Sequence, residues 1–135
     1  MHEIILIAQL AIAFGILNVW CYRPNRPTRW RGGNAKTMRE EFAHYGLPYP
    51  FMLMIGFLKV TSAIMLILGV FIPAFTLPGV VLLTVLLLGA IMMHVKVHDP
   101  IYKVIPSLSL FTLCLVVSAY IISHFNQDSN LYAIL

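Results

Sequence analysis

The sequence predicts an all-α fold: a transmembrane four-helix bundle with a short amphipathic interfacial helix between spans one and two. Three observations carry this. Four apolar stretches cover residues 4–22, 50–71, 77–95 and 104–125. Each is about twenty residues, enough to cross a hydrocarbon layer of roughly 30 Å at about 1.5 Å per helical residue. Of the 135 residues, 60% are hydrophobic and 10% charged, where a globular domain carries roughly a quarter charged. Finally, every Arg and every Lys except Lys59 lies in the polar gaps between stretches. One membrane domain is expected to account for residues 1–135, leaving no length for a soluble catalytic domain.

The first stretch begins Met1-His2-Glu3 and ends Trp20-Cys21-Tyr22. A secretory signal would start basic and end in small residues at a cleavage site, so this span is expected to be retained. Its small and polar residues Ala8, Ala11, Gly15, Asn18 and Tyr22 recur every three or four positions and share one face. Small residues let helix backbones approach in lipid, so this stripe is expected to be the packed face. Span two repeats the device with Gly56, Lys59, Ser62, Ala63 and Gly69. Span three offers Thr84, Gly89, Ala90 and His94, and span four Ser107, Cys114 and Ser118.

Charge distribution sets the expected orientation. Arg23, Arg26, Arg29, Arg31, Lys36 and Arg39 fall in the loop 23–49, and Lys96 and Lys103 between the last two spans. The positive-inside tendency places both loops in the cytoplasm and both termini outside, as in a bacterial inner-membrane protein. The net charge of +4 therefore argues for anionic headgroups rather than nucleic acid as the basic surface's partner. Cys21 and Cys114 are expected at different depths, as two free thiols, and no C-x-x-C pair is present.

The long loop has its own structure. Arg29-Trp30-Arg31-Gly32-Gly33 suits an interfacial turn with Trp30 at headgroup level. Asn34 can cap a helix start, Thr37 with Glu40 makes an alternative capping box, and Gly46 followed by Pro48 supplies a left-handed stop. Met38, Phe42 and Tyr45 fall on one side, giving a short amphipathic helix expected to lie on the cytoplasmic membrane surface, with a dip between the spans as the alternative. Beyond the last span, 126–130 is polar and expected outside, with the apolar 131–135 able to fold back onto the membrane or a partner.

Lys59 is the residue most in need of explanation. It sits roughly 13 Å along span two, where a charge costs at least about 2.5–3.5 kcal/mol. No Asp or Glu lies within a span to answer it. The amine must snorkel, lose its proton, bind backbone carbonyls, reach a loop acid, or meet an anionic ligand. Glu41 is the loop acid best placed, provided the short helix dips inward. His94, near the same end of span three, is a candidate hydrogen-bond donor to a ligand of Lys59. His44 could face the same cavity, and Asn18 is deep enough to need an interior partner. His94 and His98, four apart, form a weak candidate metal pair. With no accompanying Glu and no clear third ligand, no metal is expected. His2 and His124 are expected at the outer surface. There is no glycine-rich phosphate cradle, no Ser-His-Asp set, and no second histidine at the depth of His94 to hold a haem.

The segment Arg31-Gly32-Gly33-Asn34-Ala35-Lys36-Thr37-Met38-Arg39-Glu40-Glu41-Phe42-Ala43-His44-Tyr45-Gly46-Leu47-Pro48 is followed by Gly56-Phe57-Leu58-Lys59, Ala63, Leu68-Gly69, and Gly89-Ala90 with His94. Together these resemble the DoxX-like family of small four-span membrane proteins, over nearly the whole chain. That family takes its name from a membrane subunit linked to thiosulfate:quinone oxidoreduction, and it is similar to a vertebrate chaperone of acetylcholine receptors. Many relatives carry Glu where this chain has Lys59, and a branch with Lys resembles it more. The resemblance implies the fold more strongly than the activity. The expected function is a non-catalytic accessory subunit with no built-in cofactor, whose polar pocket of Lys59, His94, Asn18, Glu41 and His44 binds a lipid or quinone headgroup or a partner membrane protein, including a second copy. Two other readings are a quinone-linked redox subunit fed by a soluble electron donor, and an assembly factor or chaperone.

Overall fold

In a computed structural model of the protein, which describes the backbone over residues 2–134 and side chains through residue 125, the chain forms five α-helices. They are α1 (His2–Leu17), α2 (Met38–His44), α3 (Tyr49–Leu68), α4 (Thr76–Lys96) and α5 (Ile101–Ile134). Four segments are long and apolar enough to cross a membrane: His2–Tyr22, Tyr49–Leu68, Pro73–Lys96 and Ile101–Phe125. The protein is thus an integral membrane protein, all-α, with a short helix between its first two spans. The surroundings expected for 126–135 lie outside the described side chains.

The spans close into a ring in which α1 packs on α3 and α5, and α4 on α3 and α5. Ile12, Ala13, Leu66, Val80, Leu83, Cys114 and Val117 are fully buried at its centre. Outward faces are apolar as well; Ile7, Phe57, Val85 and Phe125 are each well over half exposed. Only lipid makes that surface favourable, since apolar area left in water forfeits about 25 cal/mol per Å².

The packed face of α3 carries Gly56, Lys59, Ser62, Ala63 and Leu66, with Gly69 buried just beyond the helix, as its small-residue stripe predicts. In α1 the expectation fails. The buried residues are Ile5, Gln9, Ile12, Ala13 and Ile16, while Ala11, Asn18 and Tyr22 are exposed. Lipid and core are equally apolar here, so hydropathy does not tell one face from the other, and the packed face of α1 is led by three isoleucines, with Ala13 as its one small residue. The span also changes winding. Asn18–Tyr22 is a π-helical turn, which rotates the last residues away from the 3.6-residue register.

Of the two caps the sequence offers, α2 uses Thr37 and not Asn34, so it starts at Met38, and it stops where Gly46 predicts. Thr37 accepts the Glu40 N–H at 3.2 Å, and Glu40 reaches back to the Lys36 N–H at 2.7 Å rather than to that of Thr37. At the other end Gly46 takes φ +81°, while Leu47 N donates to Phe42 O and Gly46 N to Ala43 O. That is the Schellman pattern, with Leu47 and Phe42 as its apolar pair. Met38, Phe42 and Tyr45 are all buried, so α2 turns this side into the bundle. Phe42 stacks edge-on against Trp20, with ring centroids 5.9 Å apart.

A polar-gated cavity at the basic end of the bundle

Because α2 dips inward, it roofs a cavity of about 430 Å³ between the four spans, within the size range of small-molecule sites. Its walls are mainly apolar, with Ile16, Phe51, Ile55, Leu86, Met93 and Leu110 among them. Its polar lining comprises Lys59, Glu41, Tyr45, His94, Arg23 and Arg31, with Thr28, Ser107 and Lys103.

Lys59 is 8% exposed and lines this space midway along α3. Among the described residues its ammonium makes no hydrogen bond and no ion pair. It lies over the face of Trp20, 5.4 Å from the ring centroid. Gly56 makes that stacking possible, since a Cβ there would lie 2.7 Å from two indole carbons. The carboxylate whose charge Lys59 feels is Glu41, but the two do not pair directly.

Glu41 is already engaged. It accepts from Arg31 Nη1 at 3.2 Å and from the Tyr45 hydroxyl at 2.7 Å. Arg31, only 5% exposed, also donates to the carbonyls of Arg23 (2.5 Å), Pro24 (3.2 Å) and Arg26 (3.1 Å). The sequence predicts an interfacial turn over Arg29–Gly33, with Trp30 at headgroup level and an arginine on either side. Arg29 does stay exposed and stacks on Trp30 at 4.3 Å, but Arg31 turns inward because its guanidinium can gather three loop carbonyls and one carboxylate at once.

Beyond Tyr45 the network continues. The hydroxyl lies 3.4 Å from His94 Nε2, and His94 Nδ1 lies 2.7 Å from Asp99 Oδ2. Asp99 Oδ1 accepts the Gly33 N–H at 3.0 Å, and Lys103 Nζ donates to Gly33 O. Burial alone would raise the Asp99 carboxyl; the Gly33 amide, the His94 ring and the Lys103 charge outweigh it and hold the group below the usual carboxylate range. The ionised carboxylate then requires the proton of His94 to sit on Nδ1. Tyr45 is pushed the other way, well above the usual phenol range, by burial and then by the neighbouring Glu41 carboxylate. It stays a neutral donor. Glu41 and Tyr45 are thus joined by one hydrogen bond and His94 and Asp99 by another, and the Tyr45 hydroxyl oxygen packs 3.4 Å from His94 Nε2 between the two pairs, which brings the 31–33 loop, α2 and the α4–α5 turn together.

Of the residues expected to share the pocket, Lys59, Glu41 and His94 line the cavity and two do not. Asn18 is exposed on the π turn, because the change of winding carries its side chain off the packed face. His44 is exposed on the outer side of α2, its ring against Gly33. His98 does not share a helix face with His94. It lies past the end of α4 with φ +57° and is exposed. The described residues contain no group of three or more metal-ligating side chains.

Sequence reasoning did not single out Asp99, Trp20 or Gln9, and assigned Arg31 and Tyr45 no part in the site. The spacing Tyr45-Gly46-Leu47-Pro48 placed Tyr45 on the inward side without revealing that His94, distant in sequence, would meet it. Gln9 is 2% exposed in the opposite half of the bundle, where its Nε2 donates to Leu66 O at 2.6 Å and Thr76 Oγ1 at 3.2 Å. A lone amide in a span signals an interior partner.

The ring of four spans, the inward-dipping short helix and the charged, apolar-walled cavity define a small integral membrane protein of the four-span, pocket-bearing class. The sequence profile of the DoxX-like family matches residues 32–117, which takes in α2, the cavity roof and Lys59, and the chain belongs to that family. No curated protein and no solved structure matches it.

Proposed function

We propose that this protein is an accessory membrane subunit that holds the headgroup of a lipid or a quinone in the cavity around Lys59. One observation carries the reading: a buried amine with no hydrogen bond or ion pair among the described residues faces a 430 Å³ cavity with apolar walls. Withdrawing an ion from water costs several kcal/mol unless something compensates, and the face of Trp20 returns about 0.5–2 kcal/mol. A ligand acceptor supplies the rest. The apolar walls suit the ligand's tail, and Glu41 shapes the polar end indirectly, through Arg31 and Tyr45. His94 commits Nδ1 to Asp99 and has the Tyr45 hydroxyl packed 3.4 Å from Nε2, so Lys59 is the donor for the headgroup and His94 holds the roof. In the cell the basic loops face the cytoplasm and both termini lie outside, as expected in a bacterial inner membrane.

The test is native mass spectrometry of the purified protein, with melting temperature measured in parallel. Lys59→Met removes the donor. Gly89→Leu fills the cavity from a wall position where a Cβ would meet nothing within 4 Å, and it also improves helix propensity. Both variants are expected to lose co-purifying lipid or quinone while remaining folded. Retention of the same bound mass in both, with unchanged or improved stability, would remove the case for a pocket.

A further inference from the structure

The charges around the cavity do not balance, and the imbalance has one sign. Lys59, Arg23, Arg31 and Lys103 line it, against Glu41 alone. Arg31 takes up Glu41 in an ion pair. Lys103 is held by Gly33 O and by the field of Asp99, and Asp99 in turn is bound to His94. Two cationic groups remain. Lys59 has only the Trp20 face, and the Arg23 Nε is buried without a hydrogen-bond partner among the described residues. A buried donor left unpaired costs about 1–3 kcal/mol, more when charged. A neutral acceptor answers one hydrogen bond and leaves the charge. An acidic head answers both.

We infer that the cavity selects an anionic amphiphile, a carboxylate or phosphate head on an apolar chain, over a neutral ligand such as a quinone. This rests on the reading of the cavity as a ligand site and narrows its ligand to one charge class. Lys59 supplies the central charge, Arg23 a second donor, and Trp20 a flat wall for the first carbons of the chain. The Arg31–Glu41 pair keeps Glu41 from repelling the head.

The chain offers its own reporter, because both of its tryptophans, Trp20 and Trp30, line the cavity. Purified protein in a neutral detergent is titrated with dibromostearic acid, its methyl ester, a dibromo-acyl phosphatidic acid and a short-chain brominated quinone, reading tryptophan quenching. Saturable quenching by an acid with at least tenfold weaker quenching by the ester and the quinone is the expected result. Lys59→Met is expected to erase the acid's advantage, and Lys59→Arg, which keeps a permanent charge, to preserve it. Should Lys59→Met fail to fold, Arg23→Gln serves, with an expected severalfold loss of acid affinity only. Quenching by dibromostearate but not by the dibromo-acyl phosphatidic acid identifies a free fatty acid as the source of the anion, and the reverse identifies a lipid headgroup. Equal saturable quenching by acid, ester and quinone overturns the charge selection while leaving the pocket intact. Absence of saturable quenching by every probe overturns both.

Discussion

Replacing Glu41 with Gln tests whether the roof of the cavity is held by charge. The substitution is nearly isosteric, and the Gln carbonyl can still accept from the Tyr45 hydroxyl, now 2.7 Å away. The amide NH₂ then points at Arg31 Nη1, 3.2 Å away, so two donors meet. Arg31 and Glu41 side chains are 5% and 13% exposed, so solvent does little to screen the loss. Breaking a buried pair from one side costs about 3–5 kcal/mol. Arg31 keeps its bonds to the Arg23, Pro24 and Arg26 carbonyls, which places the expected loss at the lower end, about 3 kcal/mol. For a chain of this size that corresponds to a fall of ~10 °C in melting temperature, read by tryptophan fluorescence in detergent. Arg31→Met with Glu41→Leu removes both charges together and is expected to recover at least half of the loss. A fall under 2 °C for Glu41→Gln, or a double variant as damaged as the sum of the singles, would refute the claim that a buried ion pair holds α2 on the loop.

Three further outcomes follow from the same geometry. Asp99 has its folded pKa depressed, so its stabilising effect is complete above the unfolded value of about 3.9 and fades as pH falls through the folded one. The melting-temperature gap between wild type and Asp99→Asn should therefore be constant from pH 7 to about 5 and close below about pH 4; a gap unchanged at pH 2.5 would contradict this. Gly56→Ala puts a methyl 2.7 Å from the Trp20 ring, so the indole must move, with an expected cost of about 1–3 kcal/mol and a shifted emission maximum. An unshifted spectrum would place Trp20 elsewhere. Gly46→Ala forces φ +81° on a side-chain-bearing residue and should cost about 1–2 kcal/mol in thermal denaturation, whereas no change would show that α2 ends otherwise.

The sequence by itself determined the number of spans, their limits to within a few residues, and the stop and apolar side of α2. Each of these rests on local physics: the length of apolar runs against bilayer thickness, the spacing of Met38, Phe42 and Tyr45, and a glycine at a left-handed stop. Which cap starts α2, and that its apolar side turns into the bundle and not onto the membrane surface, the sequence left open. It also marked Lys59 as anomalous, since an ammonium in an apolar run costs free energy wherever the helix packs. Only the tertiary structure decided which acid answers which base. Glu41 reached Arg31 and Tyr45 instead of Lys59, His94 met Asp99, and Asn18 turned outward on a π turn. The face of α1 that packs was likewise invisible, because lipid and protein interior are alike in polarity, so side-chain chemistry leaves the choice to shape. Partners joined across 49 or 66 positions, such as Tyr45 with His94 and Gly33 with Asp99, are fixed by how the spans close into a ring, and no local spacing records that.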